Sequence, residues 1–530
     1  MFSMSKITKY LNQLITGNVF DSPEILEAYS TDRSALKITP KIVAIPESTK
    51  DIQKLMQFVT KLSKDIRIPV AVRGSGLDEM GADLSSGIVI SMEKLNHLQE
   101  IDPRERLVRV QAGITLKELN TALKVSGLTI PIKANDNETI GSLIANCPTD
   151  AYAAKYGGIV HYVERAEIIL ANGECIQTDR LNLHTIAKKA KEKTLEGEIY
   201  SKLSELVKNN KELINLIKTT NTGSAGYPTI SYATKKDTLN LLPLMFSSEG
   251  TLGVITEVIL HAEVIQPTPT RLIATFSNLK STLNFLVHTV TMKPLELNVV
   301  DLRILKTAEE YGKNLSKITK KLENGYAVFI SFDEKSNKAN HKLRECVKYI
   351  PKTSSFIMEN ADTADVISEF ENSITSFLNL PGAGERIPLL SNFYVPANNL
   401  VSFLKDLSVL EQKLRIELPL FGSFAASNYS LRPKIKLNEP KADQKIYTLL
   451  KAGNLIITRN SGSLTGGSPE GRIKAVVTNT AFNPEEKSLY ESIKQIFDPN
   501  GLLNPDAKLG TNLKNTVSHL RTTKTPNTVL

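Results

Sequence analysis

The chain is poor in the residues that announce metal and disulfide chemistry. Its three cysteines, Cys147, Cys175 and Cys346, stand far apart in 530 residues, and no CxxC pair occurs. That spacing encodes neither a zinc ribbon nor a cysteine-ligated iron–sulfur cluster, and it suits a reducing compartment. No apolar run approaches the roughly 20 residues that cross a bilayer. Met1 to Tyr10 carries two lysines with no apolar stretch behind them, unlike a secretory signal. A cytoplasmic protein without a transmembrane segment is the expectation. Neither GxGxxG nor GxxxxGKS/T occurs, which removes the usual Rossmann and P-loop readings.

Histidine is scarce where it would matter. All seven (His97, His161, His184, His261, His288, His341 and His519) lie outside the stretch from Lys342 to Ser518. The net charge of +9 raises the question of a nucleic-acid partner. The lysines are spread along the chain, however, and the densest run, Lys188 to Lys193, contains its own Glu192 and reads as the wet face of a helix. No nucleic-acid partner is expected. With 41% hydrophobic and 23% charged residues the composition is that of a soluble protein, and 530 residues call for more than one core.

What is present is a mixture of strand and helix periods. Lys41 to Pro46, Pro69 to Arg73, Gly87 to Ser91, Leu107 to Ala112 and Ala166 to Leu170 read as strands. Between them, Ser48 can cap a helix running to Leu62, with Ile52, Leu55, Met56, Val59 and Leu62 at helical spacing. Thr115 to Val125 repeats that period, and Asn172-Gly173 marks a hairpin turn. An α+β nucleotide-binding domain is predicted to about His261, then a linker at Val264 to Pro269 and a second α+β region with strands at Arg271 to Phe276 and Ala327 to Phe332. Thr511 to Leu530, rich in Thr, Asn and Lys, is expected to be a disordered tail.

Three glycine-bearing turns could hold an anion. Arg73-Gly74-Ser75-Gly76 follows a strand, with Gly81 close behind; glycines there let backbone N–H groups close on a phosphate. Thr139-Ile140-Gly141-Ser142 enters a helix through Ala145 and Asn146, a setting that suits a diphosphate. Ser247 to Glu257 is a turn running into a buried strand. Any one of them taken singly reads more readily as a plain structural turn than as a ligand site. Their combination and order carry the signal.

In that order the turns resemble the FAD-binding domain of the vanillyl-alcohol oxidase / p-cresol methylhydroxylase flavoproteins. Tyr156-Gly157-Gly158 matches the YG after the second turn, and Ser248 to Glu257 is close to the family's GSEGTLGxITE. Tyr29 to Ser34, Tyr394-Val395-Pro396 and Phe497 to Pro505, nearly FDPxGxLNP, are similar to the branch of D-lactate dehydrogenases and the glycolate oxidase FAD subunit. The resemblance implies a PCMH-type FAD-binding domain in two parts (38–263), a substrate or cap domain (264–475) and a segment returning to the FAD domain (476–510), after an N-terminal segment (1–37). It implies that the diphosphate rests on Gly74, Ser75 and Gly76 and on Thr139 to Ser142. Arg73, Leu77, Gly81, Ala145, Asn146, Gly157, Glu249 and Asn504 would surround the cofactor, and Gly253, Val254 and Ile255 would line the nucleotide. Some members attach flavin at the place after Gly76. Leu77 stands there, so bound FAD is expected to be non-covalent, with one hydrogen bond fewer, worth ~1 kcal/mol.

The branch oxidises 2-hydroxy acids with a metal held by GHxGDxNxH and GEHG segments. Here Phe421 to Ser430 keeps Gly422 and Asn428 but has Ser423 and Ser430 for the histidines and Ala426 for the aspartate. Gly462 to Arg472 keeps the frame with Gly467 and Ser468 for Glu-His. A hydroxyl is a poor ligand and a poor base, so no metal is expected. Arg386 could meet a carboxylate, and Tyr429 and Glu470 could move a proton; an ion pair and structural roles are the plainer readings. Arg472 and Lys474 could stabilise an anion. The expected function is an FAD-dependent oxidoreductase acting on a small organic acid, with a separate electron-acceptor protein or subunit. The alternative is a catalytically inactive FAD-binding relative serving as a structural or partner subunit.

Overall fold

Period-two runs and helical runs sort into two lobes, each with its own apolar core. The computed structural model describes residues 4–319, 322, 324–377 and 386–521. In the first lobe, Asn18–Phe20, Ile42–Ile45, Ile88–Ser91 and Val70–Arg73 lie side by side in that order. The last three run parallel to one another and are almost wholly buried, as continuous apolar runs require, while Asn18–Phe20 pairs antiparallel at the edge. The Thr49–Leu62 helix covers this sheet; the Ser48 side chain accepts the Asp51 amide, and Ile52, Leu55, Met56 and Val59 face inward. A five-stranded antiparallel sheet follows, in the order Leu98–Asp102, Leu107–Gln111, Val254–His261, Val163–Ile169, Cys175–Gln177. The Ile140–Asn146 helix, capped by Thr139, packs on its central strand.

The second lobe is a seven-stranded antiparallel sheet in the order Ser355–Met358, Thr270–Phe276, Tyr326–Phe332, Glu296–Asp301, Leu420–Ser423, Asn428–Leu431, Leu390–Tyr394. Alternation divides its residues between two layers. Leu272, Val328 and Ile330 meet the Leu279–Val290 and Ser336–Val347 helices on one face. Ile273, Ala327 and Phe329 meet the Leu302–Glu310 helix and Phe370 on the other.

The lobes interlock in both directions. Leu36, Ile38, Met80 and Leu84, from the first half of the chain, sit in the second core. Tyr490, Ile493, Phe497, Leu502 and Leu503, from near the end, sit in the first.

Two expectations need correction. Residues 511–521 are not a structureless tail: Leu513–Ser518 is helical, and Leu513, Val517 and Leu520 enter an apolar groove with Leu36, Ile446 and Ile473. Leu513 and Val517 share one face of the helix and Leu520 lies just beyond its end, a spacing that a polar average composition conceals. The rest of that expectation, 522–530, lies outside the described residues. The lysine run is also only half helical, since the Leu183–Lys189 helix ends within it.

Candidate functional site

The three glycine turns, separated by up to 180 positions in sequence, converge on one cleft of about 710 Å³. Its walls include Gly74, Ser75, Gly76 and Leu77 from the first turn and Thr139, Gly141, Ser142, Ala145 and Asn146 from the second. Glu249, Gly253, Val254 and Ile255 come from the third. Glycine is required at the floor. Gly76 has φ +69°, and a Cβ there would run into the Arg73 guanidinium; a Cβ on Gly141 would sit 2.9 Å from that of Ala112. The amides of Ser75, Gly76 and Leu77, residues that line the space, have no hydrogen-bond partner among the described residues. This is a cradle that fits a diphosphate.

Other expected site residues stand behind the wall. Arg73 donates to the Thr31 carbonyl at 2.9 Å and lies over the Tyr29 ring, propping the first turn. Gly81 approaches Leu36, Gly157 approaches His161, and Ile140 is wholly in the core; none of the three lines the cleft. The Asn504 side chain donates to the Ala82 and Glu249 carbonyls at 2.6 and 2.7 Å and accepts from Arg472 at 2.9 Å. It ties the first turn to the third. The Cys147 thiol, beside the second turn, is pushed up to about 12 by burial, which makes it a poor nucleophile.

Three acidic residues of the lining carry no glycine or hydroxyl signature and were not among the residues expected: Asp78, Asp83 and Glu138. Asp78 accepts the Met80 and Ala82 amides at 2.8 and 2.9 Å and the Asn146 amide at 3.3 Å. Burial, then the nearby Asp32, lift its carboxyl to about 7. Burial lifts Glu138 to about 7 as well, against the pull of Arg33. Asp83 and Asp32 are also raised by burial, and Arg73 lies 3.8 Å from Asp83. The sequence signal that marks them is position: Asp78 and Asp83 follow Gly76 and Gly81 by two residues, and Glu138 immediately precedes the Thr139 turn.

The three candidate catalytic residues are corrected by their surroundings. Arg386 donates to the Arg432 carbonyl at 3.1 Å and pairs with Glu417 at 2.9 Å, away from the cleft. Tyr429 is 0% exposed in the second core against Phe393, where period-two packing claims it; its hydroxyl has no partner among the described residues. Glu470 is equally enclosed and accepts the Gly226 amide at 2.7 Å and the Thr478 hydroxyl. It also pairs with Lys508 at 3.1 Å. These are contacts of a brace.

The altered segments meet across the lobes. The Thr149 amide donates to the Gly467 carbonyl at 2.8 Å, and the Asn428 side chain donates to the Thr149 carbonyl at 3.3 Å. A Cβ at Gly467 would overlap the Asn428 amide. Ser430 donates to Asn392 at 3.1 Å, and Ser468 donates to the Ser391 carbonyl at 3.1 Å. The Lys474 ammonium is 0% exposed and donates to the Ser391 carbonyl at 2.6 Å and to Ser468; burial brings it down to about 7. Among the described residues no group of three or more His, Cys, Asp and Glu is placed to hold a metal ion. No helix among them is long and apolar enough to cross a membrane.

A glycine-lined cleft on the first lobe under a seven-stranded cap is the architecture of the PCMH-type flavoproteins. The chain matches the FAD binding domain over residues 40–179 and the C-terminal domain of FAD linked oxidases over residues 266–507, and it belongs to the FAD-linked oxidases. It is 24% identical over 519 residues to the D-2-hydroxyglutarate dehydrogenase of Escherichia coli (strain K12), covering 93% of this chain and 50% of that protein. The chain thus spans about half the length of the first curated relatives it matches. It is also 24% identical over 493 residues to a D-lactate dehydrogenase of Archaeoglobus fulgidus, covering 90% of this chain and 95% of that one. The solved structure of p-cresol methylhydroxylase with substrate bound superposes with a TM-score of 0.67 at 12% identity, covering 96% of this chain and 97% of that chain. At that identity it speaks for the fold.

Proposed function

We propose that the chain is an FAD-dependent oxidoreductase that holds its cofactor non-covalently in this cleft and oxidises a small CH–OH donor without a metal ion. The observation that carries the proposal is the convergence of Gly74–Leu77, Thr139–Ser142 and Glu249–Ile255 on one cavity. The free amides of the first turn would take the diphosphate, Gly253 to Ile255 the nucleotide, and Leu77 offers no nucleophile for a covalent link. When bound, FAD supplies the hydride acceptor at N5. The chain's part is to hold the cofactor and orient the donor against it. Relatives named D-lactate and D-2-hydroxyglutarate dehydrogenases support a hydroxy acid as the donor.

One observation favours a second reading, a relative that binds FAD without turning over. Arg386, Tyr429 and Glu470, the candidates for acid–base work, all spend their side chains on the scaffold. The visible spectrum of the purified protein, taken anaerobically before and after D-lactate, glycolate and D-2-hydroxyglutarate, separates the two. Bleaching of a flavin spectrum establishes the oxidoreductase with a hydroxy-acid donor. A flavin spectrum that stays oxidised with every donor favours the second reading. A protein that takes up no FAD on reconstitution overturns both.

A further inference from the structure

A dinucleotide brings two negative phosphate charges. The cleft that would receive them sets four carboxyl groups among its cradling amides: Asp78, Asp83, Glu138 and Glu249. Glu249 is already matched, since Lys508 lies 3.2 Å away and the Glu470 and Gly471 amides donate to it at 2.9 and 2.8 Å. Asp83 has Arg73 at 3.8 Å. Asp78 and Glu138 have no ion-pair partner within salt-bridge distance among the described residues, yet they flank the first and second turns.

The surroundings of these two acids are themselves acidic. Asp78 faces Asp32, which carries a buried oxygen without a partner, and Glu249. On the positive side it has the fields of Arg472 and Lys474. Both cations are committed elsewhere, Arg472 to Gly81, Asn504 and Pro505 and Lys474 to Ser391 and Ser468. Glu138 faces Glu79 and Asp150 as well as Arg33. Glu79 is in turn bound by Arg432 at 2.7 Å. Arg33, which faces Glu138 and whose Nε has no hydrogen-bond partner among the described residues, is a countercharge still open to a diphosphate; the charge it leaves uncompensated is removed at the carboxyls.

We propose that this cleft takes up its dinucleotide together with protons: Asp78 and Glu138 are neutral when a diphosphate lies on the Ser75–Leu77 amides. The inference rests on the FAD reading above. Above neutrality each acid takes up to one proton from solvent on loading, and neither electron transfer nor any other bond-making is involved. Both groups already hold their protons to about pH 7 in the empty cleft. A nearby diphosphate raises them further, and by linkage its affinity falls as pH rises.

The test is FAD binding to the apoprotein, followed by flavin fluorescence from about pH 6 to about pH 8.5 at constant ionic strength with EDTA present. The wild-type dissociation constant should rise toward tenfold per pH unit for each acid above neutrality. Asp78→Asn and Glu138→Gln should each flatten part of that slope, and the double variant should bind with little dependence on pH. Calorimetry in two buffers of different ionisation enthalpy should show proton uptake by the wild type and none by the double variant. A flat wild-type profile, or a slope that survives in the double variant, overturns the inference while leaving the cofactor assignment intact. Binding at high pH restored by Mg²⁺ overturns it in favour of a bridging cation. A chain that binds no FAD at any pH, in any variant with a native circular dichroism spectrum, overturns the cofactor reading and this inference with it.

Discussion

Lys508 and Glu249 form an ion pair at 3.2 Å with both side chains wholly enclosed. The same ammonium reaches Glu470 at 3.1 Å and the Ser224 carbonyl at 2.9 Å. One cation thus holds together the third glycine turn, the segment after Gly466 and the stretch that follows Phe497.

Lys508→Met should therefore cost about 3–5 kcal/mol, the scale for removing one partner of a buried ion pair. Two carboxylates would be left in the core without compensation. Chemical denaturation measures the loss, and flavin content per chain should fall with it. A change below about 1 kcal/mol would mean that the two acids neutralise themselves by protonation.

Gly141→Leu and Gly76→Val should abolish flavin retention while the far-ultraviolet spectrum stays native. The first pushes the Ile140–Asn146 helix off Ala112, and the second puts a β-branched residue at φ +69°. The ratio of flavin to protein absorbance reads the outcome. A full flavin load in either variant would place the diphosphate elsewhere.

Asp78→Asn should stabilise the fold at about pH 8 and have little effect at about pH 4. The carboxyl is near 7 when folded and about 3.9 when unfolded. The folded chain thus holds a proton that the unfolded chain sheds as pH rises between those values. Stability is lost over that window and levels off above it. The amide has no such loss, so the advantage of Asp78→Asn should grow to at most about 4 kcal/mol, as read from urea midpoints at several pH values.

Tyr429→Phe should be neutral or stabilising by up to ~1 kcal/mol, because the hydroxyl it removes is buried without a partner. Turnover, where it is found, should be unchanged. A tenfold fall in kcat at unchanged stability would return Tyr429 to the reaction.

Gly467→Glu should destabilise by about 1–3 kcal/mol, the usual cost of overpacking, since its Cβ overlaps the Asn428 amide. It should confer no binding of Zn²⁺ or Mn²⁺ by calorimetry, alone or with Ser468→His.

The glycine turns were legible because backbone requirements are local: a positive φ or a close approach leaves few residues to choose from. Gly74, Gly76, Gly141 and Gly253 all reach the cleft they were assigned to. Roles that depend on what lies across the fold were not legible. Glu470 and Tyr429 sit in segments aligned with catalytic motifs, but their partners are Gly226, Lys508 and Phe393, which no local pattern brings near. Asp78 and Glu138 were missed for the opposite reason, since an acid beside a phosphate-type turn contradicts the electrostatics expected there. The Leu513–Ser518 helix was missed because its two apolar residues, with Leu520 just beyond, do not move an average.

The bracing of the cleft by Asn504 and Lys508 also sets an order of events during synthesis. The strands that carry the three turns are complete by His261, and a growing chain can pair them while the second lobe is still unmade. The Glu249 amide is held within the first lobe by the Ala145 carbonyl, but its side chain and carbonyl meet their partners only as residues 470–508 emerge and fold back across more than 200 positions. Bracing of the cleft is therefore completed late, after translation of both lobes, and a ribosome stalled in the second lobe displays the three turns without it.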